Sequence, residues 1–296
     1  MTAPPRPARP ASLLLALLLV LSFCLVGCAV NTRALWEREV RRGFAAGFEP
    51  QDLPAPPFRL AGLLKGASGR ELVVYLEGDG RAIVRGRPSL DPTPSTAQGL
   101  ELALLDPSPL VLYLARVGQY MPAYSGERYQ KYWSEGRLAP ESVAAASSAI
   151  DEVKRKTGAQ FLHLVGYSGG GGLAVILAGT RADVLSLVTV AGLLDIDWWV
   201  KNNGWRPLSG SVNPADYAVV VSGTPQLHVY GARDNVITPA MSQRFDSLAG
   251  FADLTRVGLP LDHFSGWTAA WPGLLRERII PLREKAGRFA LENREV

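Results

Sequence analysis

Short apolar runs at residues 58–63, 72–76, 110–115, 161–165, 184–190, 226–230 and 254–257 alternate with helix-compatible stretches at 95–105, 140–156, 170–179, 239–249 and 271–291. Several of these runs are apolar throughout, as strands covered on both faces must be, so the alternation predicts an α/β fold: a mostly parallel central sheet with helices on both faces. Pro140 and Pro239 stand where the first turn of a helix tolerates a residue without an N–H. No internal repeat of about twenty to fifty residues is present, which excludes solenoids and propellers. Two irregular stretches, 116–138 and 193–223, interrupt the pattern. Tyr120, Tyr124, Tyr129, Tyr132 and Trp133 fall in the first, and Trp198, Trp199 and Trp205 in the second. Excursions of this kind commonly lie over the ligand site of such a sheet. Their aromatics are expected to line an acyl or alcohol pocket, to pack the loops onto the sheet, or to meet a membrane interface.

The start of the chain departs from this pattern. Arg6 and Arg9 precede an uncharged, leucine-rich run over 11–26, which ends in Leu25-Val26-Gly27-Cys28. The apolar heart, 13–25, is short against the roughly 20 residues of a membrane span, so residues 1–27 are expected to be a cleaved signal peptide. The tetrad ending in Cys28 resembles the lipobox of bacterial lipoproteins, which implies acylation of Cys28 as the new N-terminus. With Ala29 next, the resemblance implies residence in the cell envelope, at the outer membrane facing the periplasm. Multiple acyl chains give stable membrane attachment where one gives only marginal binding. Cys24 and Cys28 are the two cysteines, so the mature domain has no disulfide and depends on its core. Residues 28–57, broken and ending in Pro54-Ala55-Pro56-Pro57, are expected to be a tether, with a short helix over 36–48. Residues 58–296 form the folded domain.

At 296 residues and 47% hydrophobic content, the chain can bury one large core. Its formal charge of +4 falls to +2 without Arg6 and Arg9, and the remaining charges are interspersed, so composition gives no reason to expect a nucleic-acid partner. No cofactor or metal is expected, and the oligomeric state is open.

The chemistry centres on Gly166-Tyr167-Ser168-Gly169-Gly170, which follows one predicted strand and opens a predicted helix. A strand that turns sharply into a helix can expose a serine hydroxyl at the end of a sheet, provided that small residues flank the strained turn. That hydroxyl needs a base, and the base needs an orienting acid. Of three histidines, His163 and His228 lie within predicted strands and are expected to pack there. His263, in a loop before the last helix, is the candidate base. Asp234, after the run 226–230, is the candidate acid by the order Ser, Asp, His. Asp262, and Asp195 or Asp197, are alternatives. Candidate oxyanion donors are the N–H of Gly169 and that of Asp79 or Gly80 in the turn Glu77-Gly78-Asp79-Gly80-Arg81. The Asp79 carboxylate is expected to turn away, towards Arg81 or Arg116.

Order, spacing and context resemble the α/β-hydrolase superfamily from about residue 58 to the last helix. More narrowly, Tyr75-Leu76-Glu77-Gly78-Asp79-Gly80, Gly166-Tyr167-Ser168-Gly169-Gly170-Gly171 and Ser211-Val212-Asn213-Pro214-Ala215-Asp216 resemble uncharacterised proteobacterial α/β-hydrolase lipoproteins. The resemblance implies a Ser-Asp-His hydrolase without naming a substrate. Glu77 departs from the histidine that many members carry before the oxyanion glycine. The expected activity is hydrolysis of a small-molecule carboxylic ester. Amide hydrolysis, acyl transfer and a non-catalytic envelope role on the same fold are the alternatives.

Overall fold

The computed structural model describes residues 31–250 and 255–292; the expected signal peptide, Cys28 and residue 254 lie outside them. Eight strands form the main sheet: β1 (Phe48–Ala55), β2 (Phe58–Lys65), β3 (Glu71–Leu76), β6 (Val111–Leu114), β7 (Phe161–Tyr167), β8 (Val184–Val190), β9 (Gln226–Gly231) and β10 (Thr255–Leu259). Their order is β1-β2-β6-β3-β7-β8-β9-β10. The pairs from β6 to β10 are parallel, and only β1/β2 and β2/β6 are antiparallel. A two-stranded hairpin, β4 (Ile83–Val84) with β5 (Arg87–Pro88), stands apart from this sheet.

Alternation of side chains along the central strands divides the core in two. Leu72, Val74 and Leu76 of β3 and Leu162 and Leu164 of β7 face one cluster; Val73 and Tyr75, with Val165 and Tyr167, face the other. Helices α3 (Pro140–Thr157) and α4 (Gly169–Thr180) cover the first face, whereas α2 (Gln98–Ala103) and α7 (Trp267–Leu274) cover the second. Helix α4 is buried from Gly169 to Ala178, because its sequence is apolar on all sides and has no face to offer water. Helices α5 (Ile196–Asn202), α6 (Pro239–Ala249) and α8 (Ile280–Glu292) complete the set, with a π-turn over Leu275–Ile279 joining α7 to α8.

The expected tether is overturned from Thr32 onward. Helix α1 (Thr32–Ala45) replaces the shorter helix expected over 36–48, and β1 is a full-length partner of β2, in register from Phe48 opposite Lys65 to Ala55 opposite Phe58. Proline content disguised this strand: β1 is at the sheet edge, where one row of N–H groups has no ladder partner and proline is tolerated. Helix α1 is fixed by the Trp36 ring against Tyr120 at 5.1 Å and by Arg42, which donates to buried Glu39 and to Glu101 of α2. No helix among the described residues is long and apolar enough to cross a membrane.

Candidate active site

Ser168 links β7 to α4 at φ 52°, a left-handed conformation that costs a non-glycine residue roughly 1–3 kcal/mol. The turn closes only because its neighbours lack side chains. A Cβ on Gly166 would lie 2.1 Å from the Gly170 carbonyl oxygen, and one on Gly170 would lie 2.3 Å from that of Leu76. The elbow is tied to the sheet on both sides: Ser168 N–H donates to Val190 O, and Ser168 O accepts from the N–H groups of Gly171 and Leu193. The hydroxyl is thereby held at the C-terminal end of the parallel strands, where open α/β sheets bind ligands.

The loops after β9 and β10 bring the other two polar groups to this end. Ser168 Oγ lies 3.1 Å from His263 Nε2, and His263 Nδ1 lies 2.7 Å from Asp234 Oδ2. The other Asp234 oxygen accepts from the N–H groups of Val236 and Ile237, at 2.8 Å each, which fixes the carboxylate plane. Tyr167 Oη and Trp267 Nε1 both donate to the His263 carbonyl and fix the backbone that carries the imidazole. Burial pushes the Tyr167 phenol well above its ordinary pKa, so it remains a donor. Phe264, 72% exposed, caps the imidazole edge-on at 4.8 Å.

The rival assignments have other work. Asp262 accepts from the N–H groups of Phe264 and Ser265 and shapes the loop. Asp195 caps α5 through Trp198 N–H and also accepts from Arg244, while Asp197 accepts from Asn213. His163 is buried between Ser186 and Glu71, and His228 between Thr189 and Gln226; burial depresses the His228 pKa to about 3, so that ring stays neutral.

Opposite the serine, the turn after β3 packs on the elbow: a Cβ on Gly78 would lie 3.3 Å from Ser168 Cβ. Gln119 holds this turn by donating to Gly78 O while its own carbonyl accepts from Arg116 N–H. The Gly169 N–H, in the first turn of α4, has no helical acceptor. Among the described residues, the N–H groups of Asp79 and Gly80 donate to no protein acceptor either. The Asp79 side chain differs from expectation. It accepts from Arg116 at 3.4 Å and from Arg137 at 2.7 Å, not from Arg81, and a Cβ on Gly169 would touch its Oδ1. Two buried guanidinium groups hold the carboxylate beside the elbow, where an unpaired one would be repelled by a nascent oxyanion.

Glu77 occupies the position of departure noted above, and it is almost fully buried. Its carboxyl accepts from the N–H groups of Gly78 and Gly99 and from the Tyr113 hydroxyl, which ties α2 to the turn after β3. Burial outweighs these donors and pushes its pKa up to about 7, against 4.5 for an ordinary glutamate. A carboxyl whose folded pKa is raised binds more protons folded than unfolded between those values, so stability falls as pH rises from about 4.5 to 7 and then levels. The difference corresponds to about 3 kcal/mol. Glu77→Gln, which can still accept from the two N–H groups and donate to Tyr113, is expected to flatten this segment of a melting-temperature profile; an unchanged profile would contradict the assignment.

The serine opens into a cleft of about 1630 Å³, larger than the roughly 300–1000 Å³ of common small-ligand sites. The aromatic excursions divide in function. Trp199 and Trp205, in edge contact at 4.5 Å, line the cleft. Tyr124, Tyr129 and Tyr132 pack on the first core cluster, two of them against Phe58, while Tyr120 and Trp133 are buried. Arg137, which ordinary surface-charge reasoning passes over, also lines the cleft. Its only sequence signal was its place within an aromatic excursion. Among the described residues, no group of three or more His, Cys, Asp or Glu side chains is placed to hold a metal ion.

Residues 110–250, which contain Ser168 and Asp234, match the serine hydrolase (FSH1) family. No curated protein matches the sequence. Similar solved structures include Est1E from Butyrivibrio proteoclasticus, with a TM-score of 0.56 and 11% identity over 79% of this chain and 98% of that one. The Pyrococcus furiosus esterase Pf2001 aligns with a TM-score of 0.56 and 14% identity, over 80% of this chain and 92% of its own. The acylaminoacyl peptidase of Pyrococcus horikoshii aligns with a TM-score of 0.53 and 15% identity, over 83% of this chain but only 40% of its own. These identities carry the architecture and leave substrate open. Parallel sheet and structural neighbours give the chain the α/β-hydrolase fold, and residues 110–250, which carry the elbow serine, are similar to a serine hydrolase family.

Proposed function

We propose that the protein hydrolyses carboxylic esters through an acyl-enzyme formed on Ser168, with His263 as base and then acid and Asp234 as its orienting partner. The observation that carries this reading is the unbroken line of hydrogen bonds from Ser168 Oγ through the imidazole to Asp234. Ser168 Oγ attacks the ester carbonyl while its proton passes to His263 Nε2; the Asp234 carboxylate stabilises the imidazolium. The N–H groups of Gly169 and of Asp79 or Gly80 receive the oxyanion. Collapse expels the alcohol, which takes the proton from His263, and a water activated by the same imidazole releases the acid. Amide hydrolysis and acyl transfer to an acceptor other than water use the same groups, and a series of esters, amides and acceptor alcohols ranks them.

The first test is labelling with a fluorophosphonate. Wild-type protein is expected to label stoichiometrically at Ser168, and Ser168→Ala not at all. Equal labelling of the two proteins would remove Ser168 from the reaction, and an unlabelled wild type would favour a non-catalytic envelope protein.

We also propose that an acylated Cys28 anchors the domain to the cell envelope, at the outer membrane on its periplasmic side. The leucine-rich segment and the tetrad ending in Cys28 support this. Cys28→Ser is expected to abolish incorporation of radiolabelled palmitate and to move the protein from the membrane pellet to the soluble fraction. Retention in the pellet would count against the anchor.

A further inference from the structure

Two guanidinium groups converge on one carboxylate immediately beside the nucleophile. Arg116 and Arg137 are 8% and 7% exposed, and Asp79 is the acidic partner of both. Asp79 therefore offsets one of the two cations and leaves a net positive charge in this buried position, reduced where the buried Glu77 carboxyl, which acts on Arg116, is ionised. Arg137 shows where that charge is presented. Its Nη1 donates to Asp79 and its Nε to Ser134 O, and its guanidinium lies 5.4 Å over the Trp199 ring. Among the described residues Nη2 has no protein acceptor, and Arg137 lines the cleft that holds Ser168.

The wall of the same cleft adds cations without adding matching acids. Arg81, Arg87 and Arg206 line it, and among the described residues none of their guanidinium groups has a carboxylate partner. The acidic lining residues are Glu77, Asp79 and Glu135. Glu77 is buried and committed to Gly78, Gly99 and Tyr113; Asp79 is paired; Glu135 is exposed and accepts from the Ser134 hydroxyl. The apolar lining, Trp199, Trp205, Leu193 and Ile83, leaves room for a chain between the serine and the rim.

We propose that the cleft is built for an anionic acyl ester, with Arg137 Nη2 and the rim arginines receiving a carboxylate or similar oxyanion borne by the substrate. This rests on the ester-hydrolase reading above and names its substrate class. A planar guanidinium with free donors suits a carboxylate through charge-assisted hydrogen bonds, and partial burial protects the attraction from salt. Stacking on Trp199 and the bond to Asp79 hold the fork in place before the substrate arrives, so little side-chain freedom is lost on binding.

The test compares 4-nitrophenyl half-esters of the C4 to C10 dicarboxylic acids with neutral 4-nitrophenyl alkanoates of equal chain length. The best half-ester is expected to exceed its neutral counterpart in kcat/KM by about tenfold or more, chiefly through KM, as a hydrogen bond to a charged group implies. Arg137→Gln and the paired rim variant Arg87→Gln/Arg206→Gln are each expected to lower this ratio. Because Arg137→Gln deprives Asp79 of its nearer partner, a folding failure there leaves the rim variant to decide. Turnover of neutral esters with a ratio of one or below in the wild type would overturn the anionic subsite and leave the ester-hydrolase reading intact. If no ester turns over, the hydrolase reading fails, and binding to Ser168→Ala protein decides the subsite: monomethyl suberate should quench tryptophan fluorescence at lower concentration than methyl octanoate, and equal or absent binding would overturn it.

Discussion

Asp234→Asn is expected to lower kcat by about four orders of magnitude while the protein stays folded. The basis is the division of labour between the two Asp234 oxygens: Oδ1 accepts from the Val236 and Ile237 N–H groups, and Oδ2 faces His263 Nδ1 at 2.7 Å. An asparagine keeps its carbonyl where the two N–H groups demand an acceptor, so its NH2 group must face Nδ1. The imidazole then accepts at Nδ1 and carries its proton on Nε2, 3.1 Å from the serine oxygen, where a proton acceptor is required. In serine proteases the equivalent tautomer error costs about 10⁴ in kcat. The expected signature is a collapse of kcat on an activated ester together with slow fluorophosphonate labelling, at an unchanged melting temperature. A loss below about tenfold would mean that Asp234 does not set the tautomer.

Much of this arrangement was legible because the residues involved obey local rules. Strand β8 and helix α6 have the limits their apolar runs predict, 184–190 and 239–249, and Pro140 and Pro239 begin their helices. Gly166, Gly169 and Gly170 announced the elbow because a tight strand-to-helix turn excludes side chains. What stayed hidden depends on contacts distant in sequence. Strand β1 reads as a tether because Pro50, Pro54 and Pro56 suppress the β signal, and only its pairing with β2 makes a strand of it. Helix α5 was concealed in an aromatic excursion whose order comes from Asp195 capping Trp198 N–H and from Trp199 donating to Val236 O. Arg137 lies 58 residues from Asp79, so no local pattern could assign that pair. Glu77 illustrates a subtler loss: its departure from a histidine was visible, but its function in joining α2 to the turn after β3 requires knowing that Gly99 and Tyr113 converge on it.

The elbow's intolerance of a methyl group gives the second large effect. A Cβ on Gly166 would meet Gly170 O at 2.1 Å, Gly170 C at 2.5 Å and Gly171 Cα at 2.6 Å, all of them backbone atoms. No rotamer change relieves such contacts; either β7 or the start of α4 must move. Helix α4 is buried along almost its whole length, and its first turn is itself confined, because a Cβ on Gly170 would collide with Leu76 O and Glu77 O. Gly166→Ala is therefore expected to cost about 3 kcal/mol or more of unfolding free energy, the range of severe overpacking. Activity should fall more than stability alone accounts for, because displacing Ser168 by about 1 Å from its base costs on the order of a hundredfold. Gly223→Ala is the matched control: nothing lies within 4 Å of its Cβ, and its stability should change by no more than about 0.5 kcal/mol. Urea unfolding of the three proteins, with kcat/KM measured well below each midpoint, separates the two losses. If Gly166→Ala unfolds within about 1 kcal/mol of wild type, the turn is slack enough to take a side chain, and backbone strain at Ser168 cannot be what holds its hydroxyl in place.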